Sequence, residues 1–329
     1  MPSEINENSR FKSLKTVFMG TPYEVLPVLN RIYELTDLIS IFTAPDKQGC
    51  RGKKLIVPAV KNFALEKNIT YHQPCSWRDT DAVDILKSYE PDIVFVMSYG
   101  YILPKEVLEI PTNGAYNLHA SLLPKYRGAS PLQHALLNND RITGITLQKM
   151  SEKLDQGDII STKSTDIEPD DDYLSLKEKI CELAPNLLEE TLTKLSTTPV
   201  EGIKQNESMA SICRKITKES GKIHWDNSAT NIWCMVRAYT GWPTAYSYLN
   251  GKRIIIHKAS VYNDEDKSEG LYDRFQAGTI VEVSKNNLLV KCGSGILKIN
   301  YLQLENKSVM DYKCYINGYR PKLGDRFDS

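Results

Sequence analysis

The chain has 329 residues, 41% hydrophobic and 25% charged, and its 41 Lys and Arg balance 41 Asp and Glu. That length supports two domains with separate cores, and the neutral balance argues against a general nucleic-acid coat. No apolar run approaches the roughly 18 residues of a membrane helix, and the polar start MPSEINENSRFK is not a secretory signal, so a cytoplasmic protein is expected. Seven scattered cysteines with no C-x-x-C pair fit a reducing compartment, and five histidines show no metal-ligand spacing, so no metal is expected.

Residues 16–19 read as a buried strand that ends at Gly20-Thr21-Pro22. Val25, Leu26, Leu29, Ile32 and Leu35 then recur at helical spacing. Further strands are predicted at 38–44, 92–98, 115–119 and 142–150, with helices at 58–67, 81–89 and 131–138 between them. This alternation predicts a parallel, doubly wound sheet whose sites lie beyond the carboxyl ends of its strands. Gly20-Thr21-Pro22 lacks the G-x-G-x-x-G pattern, so no dinucleotide site is read there. The α/β domain is assigned to residues 11–200, with a linker at 194–209 that contains TTPVEGIKQNES. Beyond it come a helix at 229–239 and short β runs at 253–259, 279–283, 288–292 and 296–304. Their close spacing predicts a small barrel in residues 210–329. From residue 201 onward, 19 Lys and Arg face 14 Asp and Glu, which permits a polyanion to lie across this half.

The chemistry concentrates in residues 114–160. On a strand, residues i and i+2 share a face, so Asn117 and His119 can enter one cleft. The Asn amide can donate to a developing oxyanion, and the His can donate or pass a proton. Asp155, in a Leu-Asp-x-Gly-Asp turn, could orient that His; Asp158 is its rival, and the turn could equally be only a turn. Ser121 lacks a G-x-S-x-G setting, which favours direct transfer over a covalent enzyme intermediate. In SLLPKYRGASP, Gly128 opens onto a helix at Ser130 or Pro131, whose exposed amides would suit an anion or a polar heterocycle. The loop PDKQGCRGKKL carries Lys47, Arg51, Lys53 and Lys54, which fits phosphate contacts and fits a solvated surface loop equally well.

With these residues the chain resembles the methionyl-tRNA formyltransferases, from about Thr16 to its end. FMGTPYEVLPVL, the basic loop, YHQP, PDIVFVMSYGYILPKEVL, NLHASLLPKYRGASP, TGITLQKMSEKLDQGD, CRKITKESGKIHW and RAYTGWPTAY follow in family order. The Asn-x-His, SLLP and Leu-Asp-x-Gly-Asp set is similar to that of other folate-dependent formyltransferases, whereas the basic loop and the C-terminal motifs resemble only the tRNA branch. The resemblance implies a Rossmann-like catalytic domain followed by a barrel of oligonucleotide-binding (OB) type. It implies formyl transfer from 10-formyltetrahydrofolate to the amino group of methionyl-initiator tRNA by a monomer without metal or membrane partner. Carried onto this sequence, Asn117, His119 and Asp155 form the catalytic set. Met97, Ser98, Tyr99, Gly100, Ser121, Leu122, Leu123 and Pro124 would line the folate site, and Lys47, Arg51, Lys53 and Lys54 would bind tRNA. Two alternatives stand beside it: the same chemistry on glycinamide ribonucleotide or a nucleotide-linked amino sugar, and a folate- or RNA-binding protein without catalysis.

Overall fold

Val17, Phe18 and Met19 are fully buried, as a strand covered on both faces requires. In the computed structural model, which describes residues 11–49, 55–78, 80–195, 201–263 and 272–328, they lie on β1 (Phe11–Gly20). The described residues fall into two compact units. One takes in 11–131, 143–165 and 177–213; the other takes in 132–142, 166–176 and 214–328.

After β1 come α1 (Leu26–Leu35), β2 (Thr36–Phe42), the β3–β4 hairpin (Lys47–Gln48 and Leu55–Ile56) and α2 (Ala59–Lys67). The chain continues through β5 (Tyr71–His72), α3 (Thr80–Ser88), β6 (Ile93–Met97), α4 (Lys105–Leu108) and β7 (Ala115–His119). Next are β8 (Arg127–Gly128), α5 (Pro131–Leu137), β9 (Ile142–Lys149), β10 (Ile159–Asp166), α6 (Tyr173–Leu195) and β11 (Ile212–Cys213). The large sheet has the order β10-β9-β7-β6-β1-β2-β5. β1 pairs in parallel with β2 and β6, and β6 with β7, as the alternation predicts. α1 turns Leu29, Ile32 and Leu35 inward, as read from their spacing, together with Val28, while Leu26 is half-buried.

Two features depart from the reading of the sequence. β9 runs antiparallel to β7, which sets Asn117 opposite Gln148 and His119 opposite Thr146. The 23-residue α6 is unanticipated because Pro185 lies inside it and argues for a break. Leu176, Ile180, Ala184, Leu187, Leu188 and Leu192 are nevertheless buried along one helical stripe. Residues 201–213, within or just past the predicted linker, are engaged with the first unit: Ile203 bridges Ile159, and β11 pairs with β8.

The second unit holds α7 (Ala229–Ala238), β12 (Ala245–Leu249), β13 (Lys252–Val261), β14 (Ile280–Val283), β15 (Leu288–Lys291), β16 (Ile296–Leu304), β17 (Met310–Asp311), α8 (Tyr312–Tyr319) and β18 (Phe327–Asp328). Its strands follow the order β14-β15-β16-β13-β12-β18, with β17 on β16. Hydrogen bonds from Ile280 N to Asp325 O (2.7 Å) and from Phe327 N to Gly278 O (2.9 Å) join the two edges, so the antiparallel sheet curls round. Trp225 fills its centre, 5.1 Å from the Phe327 ring, and its indole N–H donates to Ser247 Oγ at 3.0 Å. That bond satisfies the one polar group the buried indole carries.

Candidate active site

Asn117 and His119 lie at the carboxyl end of β7, two residues apart on one face. The carboxylate that meets them is that of Asp155; Asp158 is tied through its main chain, its carbonyl accepting from Lys149 N at 2.9 Å. Asp155 Oδ1 accepts from Gln148 Nε2 at 2.9 Å and from Asn117 Nδ2 at 3.3 Å, and Oδ2 accepts from Gly128 N at 2.9 Å. His119 Nδ1 stands 3.6 Å from Oδ1, too far for a direct hydrogen bond. The His119 and Asp155 side chains are only 7% and 8% exposed.

The other imidazole nitrogen fixes the tautomer. His119 Nε2 lies 2.8 Å from Tyr126 O, and a carbonyl can only accept, so Nε2 carries the hydrogen. In the neutral ring Nδ1 is then the basic atom, and it faces Asp155. Tyr126 O also accepts from the buried Cys213 Sγ at 3.2 Å, and Tyr126 N donates to Ser211 Oγ at 2.9 Å. Burial pushes the Cys213 thiol above its ordinary value, so it stays a neutral donor.

Two glycines permit this packing. Gly128 has φ +119°, and a Cβ there would overlap Cys213 O. A Cβ at Gly157 would overlap Lys149 O. Ser130 N, at the start of the helix whose amides the sequence suggests are exposed, donates to Cys213 Sγ at 3.4 Å, and the preceding Ala129 N donates to Cys213 O at 3.3 Å. The pairing of β11 with β8 brings Cys213 there.

The residues expected around the folate divide by exposure. Ser98 and Gly100, at φ +48° and +86°, are exposed beyond β6, while Met97 and Tyr99 are buried. Tyr99 Oη accepts from Trp77 Nε1 at 3.1 Å, and burial raises its phenol well above the ordinary value. Leu122 and Pro124 are half-buried and Leu123 buried; Leu123 N donates to Thr146 Oγ1 at 3.1 Å. Ser121 is fully buried and its hydroxyl donates to Lys125 O at 2.6 Å. Lys47 is exposed on β3; Arg51, Lys53 and Lys54 lie outside the described residues. Among the described residues no three His, Cys, Asp or Glu side chains gather as metal ligands would.

Sequence reasoning missed Gln148, Gln205, Arg127 and Glu207. Gln205 Nε2 donates to Asp155 O at 2.9 Å and Gly157 O at 2.7 Å, and its Oε1 accepts from Arg127 Nε at 2.9 Å. Arg127 grips both Glu207 oxygens at 2.9 Å, which holds the Glu207 carboxyl below its ordinary value. Gln148 could be found only by knowing that β9 pairs with β7, and the other three only by knowing that residues 201–213 return to the site.

Residues 19–192 match the formyl transferase family, and residues 215–320 match the formyl transferase C-terminal domain. The α/β sheet, its Asn-His-Asp cluster and these matches define a formyl transferase. A methionyl-tRNA formyltransferase of Dictyoglomus thermophilum is 38% identical over 96% of this chain and 100% of its own length. One of Caldicellulosiruptor saccharolyticus is 38% identical over 94% and 98%. The chain belongs to the methionyl-tRNA formyltransferase family. Among solved structures its fold is similar to WlaRD, a sugar 3N-formyl transferase (TM-score 0.62, 18% identity, 90% of this chain and 99% of that one). It is also similar to HypX from Aquifex aeolicus in complex with tetrahydrofolic acid (TM-score 0.56, 17% identity), where it covers 93% of this chain and 47% of that longer one.

Proposed function

We propose that this protein transfers the formyl group of 10-formyltetrahydrofolate to the amino group of methionyl-initiator tRNA. The observation that carries the reading is the match of both units, over nearly the whole chain, to methionyl-tRNA formyltransferases. Asn117, His119 and Asp155 carry the chemistry. The methionyl amine attacks the formyl carbon, the carbonyl oxygen takes up negative charge, and the bond to the folate nitrogen breaks as a proton reaches that nitrogen. Asn117 has two amide hydrogens; one is directed to Asp155, and the other is the donor for the oxyanion. His119 accepts the amine proton at Nδ1, and the imidazolium so formed is stabilised by Asp155 at 3.6 Å.

Main chain at Ser98 and Gly100 and the half-buried Leu122 and Pro124 offer a polar edge and an apolar wall, which suit a heterocycle. Lys47, Arg51, Lys53 and Lys54 contact the acceptor-stem phosphates, and the curled C-terminal sheet receives the body of the tRNA. Among the described residues no helix is long and apolar enough to cross a membrane, and a cytoplasmic monomer fits the reading. An acceptor panel tests it: charged Met-tRNA, glycinamide ribonucleotide and a nucleotide-linked amino sugar are offered with the same donor. Transfer confined to Met-tRNA is expected. Transfer to a small amine instead moves the acceptor, and tight tRNA binding with no transfer to anything moves the protein out of catalysis.

A further inference from the structure

Asp155 has φ +52°, a left-handed conformation that residues with a side chain adopt rarely. Its backbone and its carboxylate therefore both need holding, and two glutamines meet them from different elements. Gln148, on β9 and 2% exposed, uses both ends of one amide. Its Nε2 donates to Asp155 Oδ1 at 2.9 Å, and its Oε1 accepts from Gly157 N at 3.2 Å. Gln205, from the 201–213 segment, donates to the carbonyls of Asp155 and Gly157 and is itself keyed by Arg127. Arg127 is anchored in turn on Glu207.

We propose that Gln148 and Gln205 are positioning residues, which set the Asp155 carboxylate against Asn117 and His119 for formyl transfer. The inference rests on the formyl-transfer reading and names two residues of the same site. The two divide the work: Gln205 fixes the backbone of the turn that presents Asp155, and Gln148 bonds the carboxylate itself. Without Gln148, Oδ1 keeps only the longer 3.3 Å bond from Asn117, and the carboxylate is held less firmly, by that bond and by Gly128 N at Oδ2. Gln148 is too buried to touch a substrate from its strand, so its loss acts on turnover and not on affinity.

The test compares wild type with Gln148→Met, which keeps volume and loses both bonds, and Gln148→Glu, which keeps shape and turns an oxygen toward Asp155. Gln205→Ala forms a third arm. Turnover number and the KM for donor and for charged tRNA are measured separately, with melting temperature beside them. The expected result is a kcat lowered roughly 10–100-fold with both KM values within about twofold, as misplacement of a reacting group predicts. A second readout needs no substrate: amide exchange at Gly128, whose N–H donates to Asp155 Oδ2 but never meets Gln148. Its exchange should quicken at least about tenfold in Gln148→Met, since the carboxylate that accepts it has lost its shorter Oδ1 bond. Unchanged kcat, a change confined to KM, or unaltered Gly128 exchange would each overturn the proposal. If wild type formylates a small amine, the functional reading falls while the same kcat comparison on that acceptor still judges the glutamines. If it formylates nothing, Gly128 exchange, measured in both Gln148→Met and Gln205→Ala, judges them alone.

Discussion

Asn117 and Gln148 are direct cross-strand partners on β7 and β9, and both side-chain amides donate to the same oxygen of Asp155. The register decides this convergence. A slip of one residue would bring Leu147 or Lys149 opposite Asn117 and turn Gln148 to the other face of the sheet. The antiparallel course of β9 thus does more than extend the sheet, because it supplies a second, shorter donor to Asp155 Oδ1.

Asn117→Ala should lower kcat by roughly 10²–10³, about 3–4 kcal/mol, as loss of one preorganised oxyanion donor does. Donor affinity, measured by equilibrium binding, should change little. Near-normal turnover would remove Asn117 from its assigned role.

Gly128→Ala combines a positive φ with overlap of Cys213 O. The conformational part alone costs on the order of 1–3 kcal/mol, and the overlap adds to it. A melting temperature lowered by several degrees is expected, together with reduced turnover, because Gly128 N is also an Asp155 donor. Thermal melts and steady-state rates on the same preparation check both.

Burial raises the Cys292 thiol from an ordinary value of 9.0 to about 12, and raises Tyr315 from 10.0 to about 12. The folded chain therefore keeps protons that the unfolded chain releases. Their contribution to stability is complete below about pH 9, declines above it, and is lost as pH approaches about 12. Chemical denaturation at pH 8 and pH 10.5 should show less stability at the higher pH. Cys292→Ala should narrow that difference, whatever the void costs at pH 8.

Replacing Arg51, Lys53 and Lys54 together should weaken the tRNA reaction and flatten its salt dependence. If each meets one phosphate, the slope of log kcat/KM against log salt falls by about 2–3. Donor affinity should remain unchanged; a large loss of it would make the loop a structural element.

The residues that carry strong local signals were legible in the sequence. The helical recurrence of Leu29, Ile32 and Leu35 and the apolar runs at β1 and β6 gave the α/β layer, and the Asn117–His119 spacing gave one side of the cluster. What was hidden depends on pairing between distant segments. Gln148 faces Asn117 only because β9 turns antiparallel, and Gln205 meets Asp155 only because residues 201–213, within or just past the predicted linker, pack back against the turn. Cys213 takes up the amides at 129–130 for the same reason: β11 pairs with β8 across more than 80 residues. Pro185 concealed α6, since buried leucines on both sides of it hold the helix where local propensity argues for a break.

The most direct test is transfer of labelled formyl from 10-formyltetrahydrofolate to charged Met-tRNA, with His119→Ala run beside wild type and both shown to be folded. The account predicts efficient transfer by wild type and a loss of at least about 10²-fold in the variant, the range for a positioned acid–base group. Equal transfer by the two proteins, or none by well-folded wild type, would contradict it.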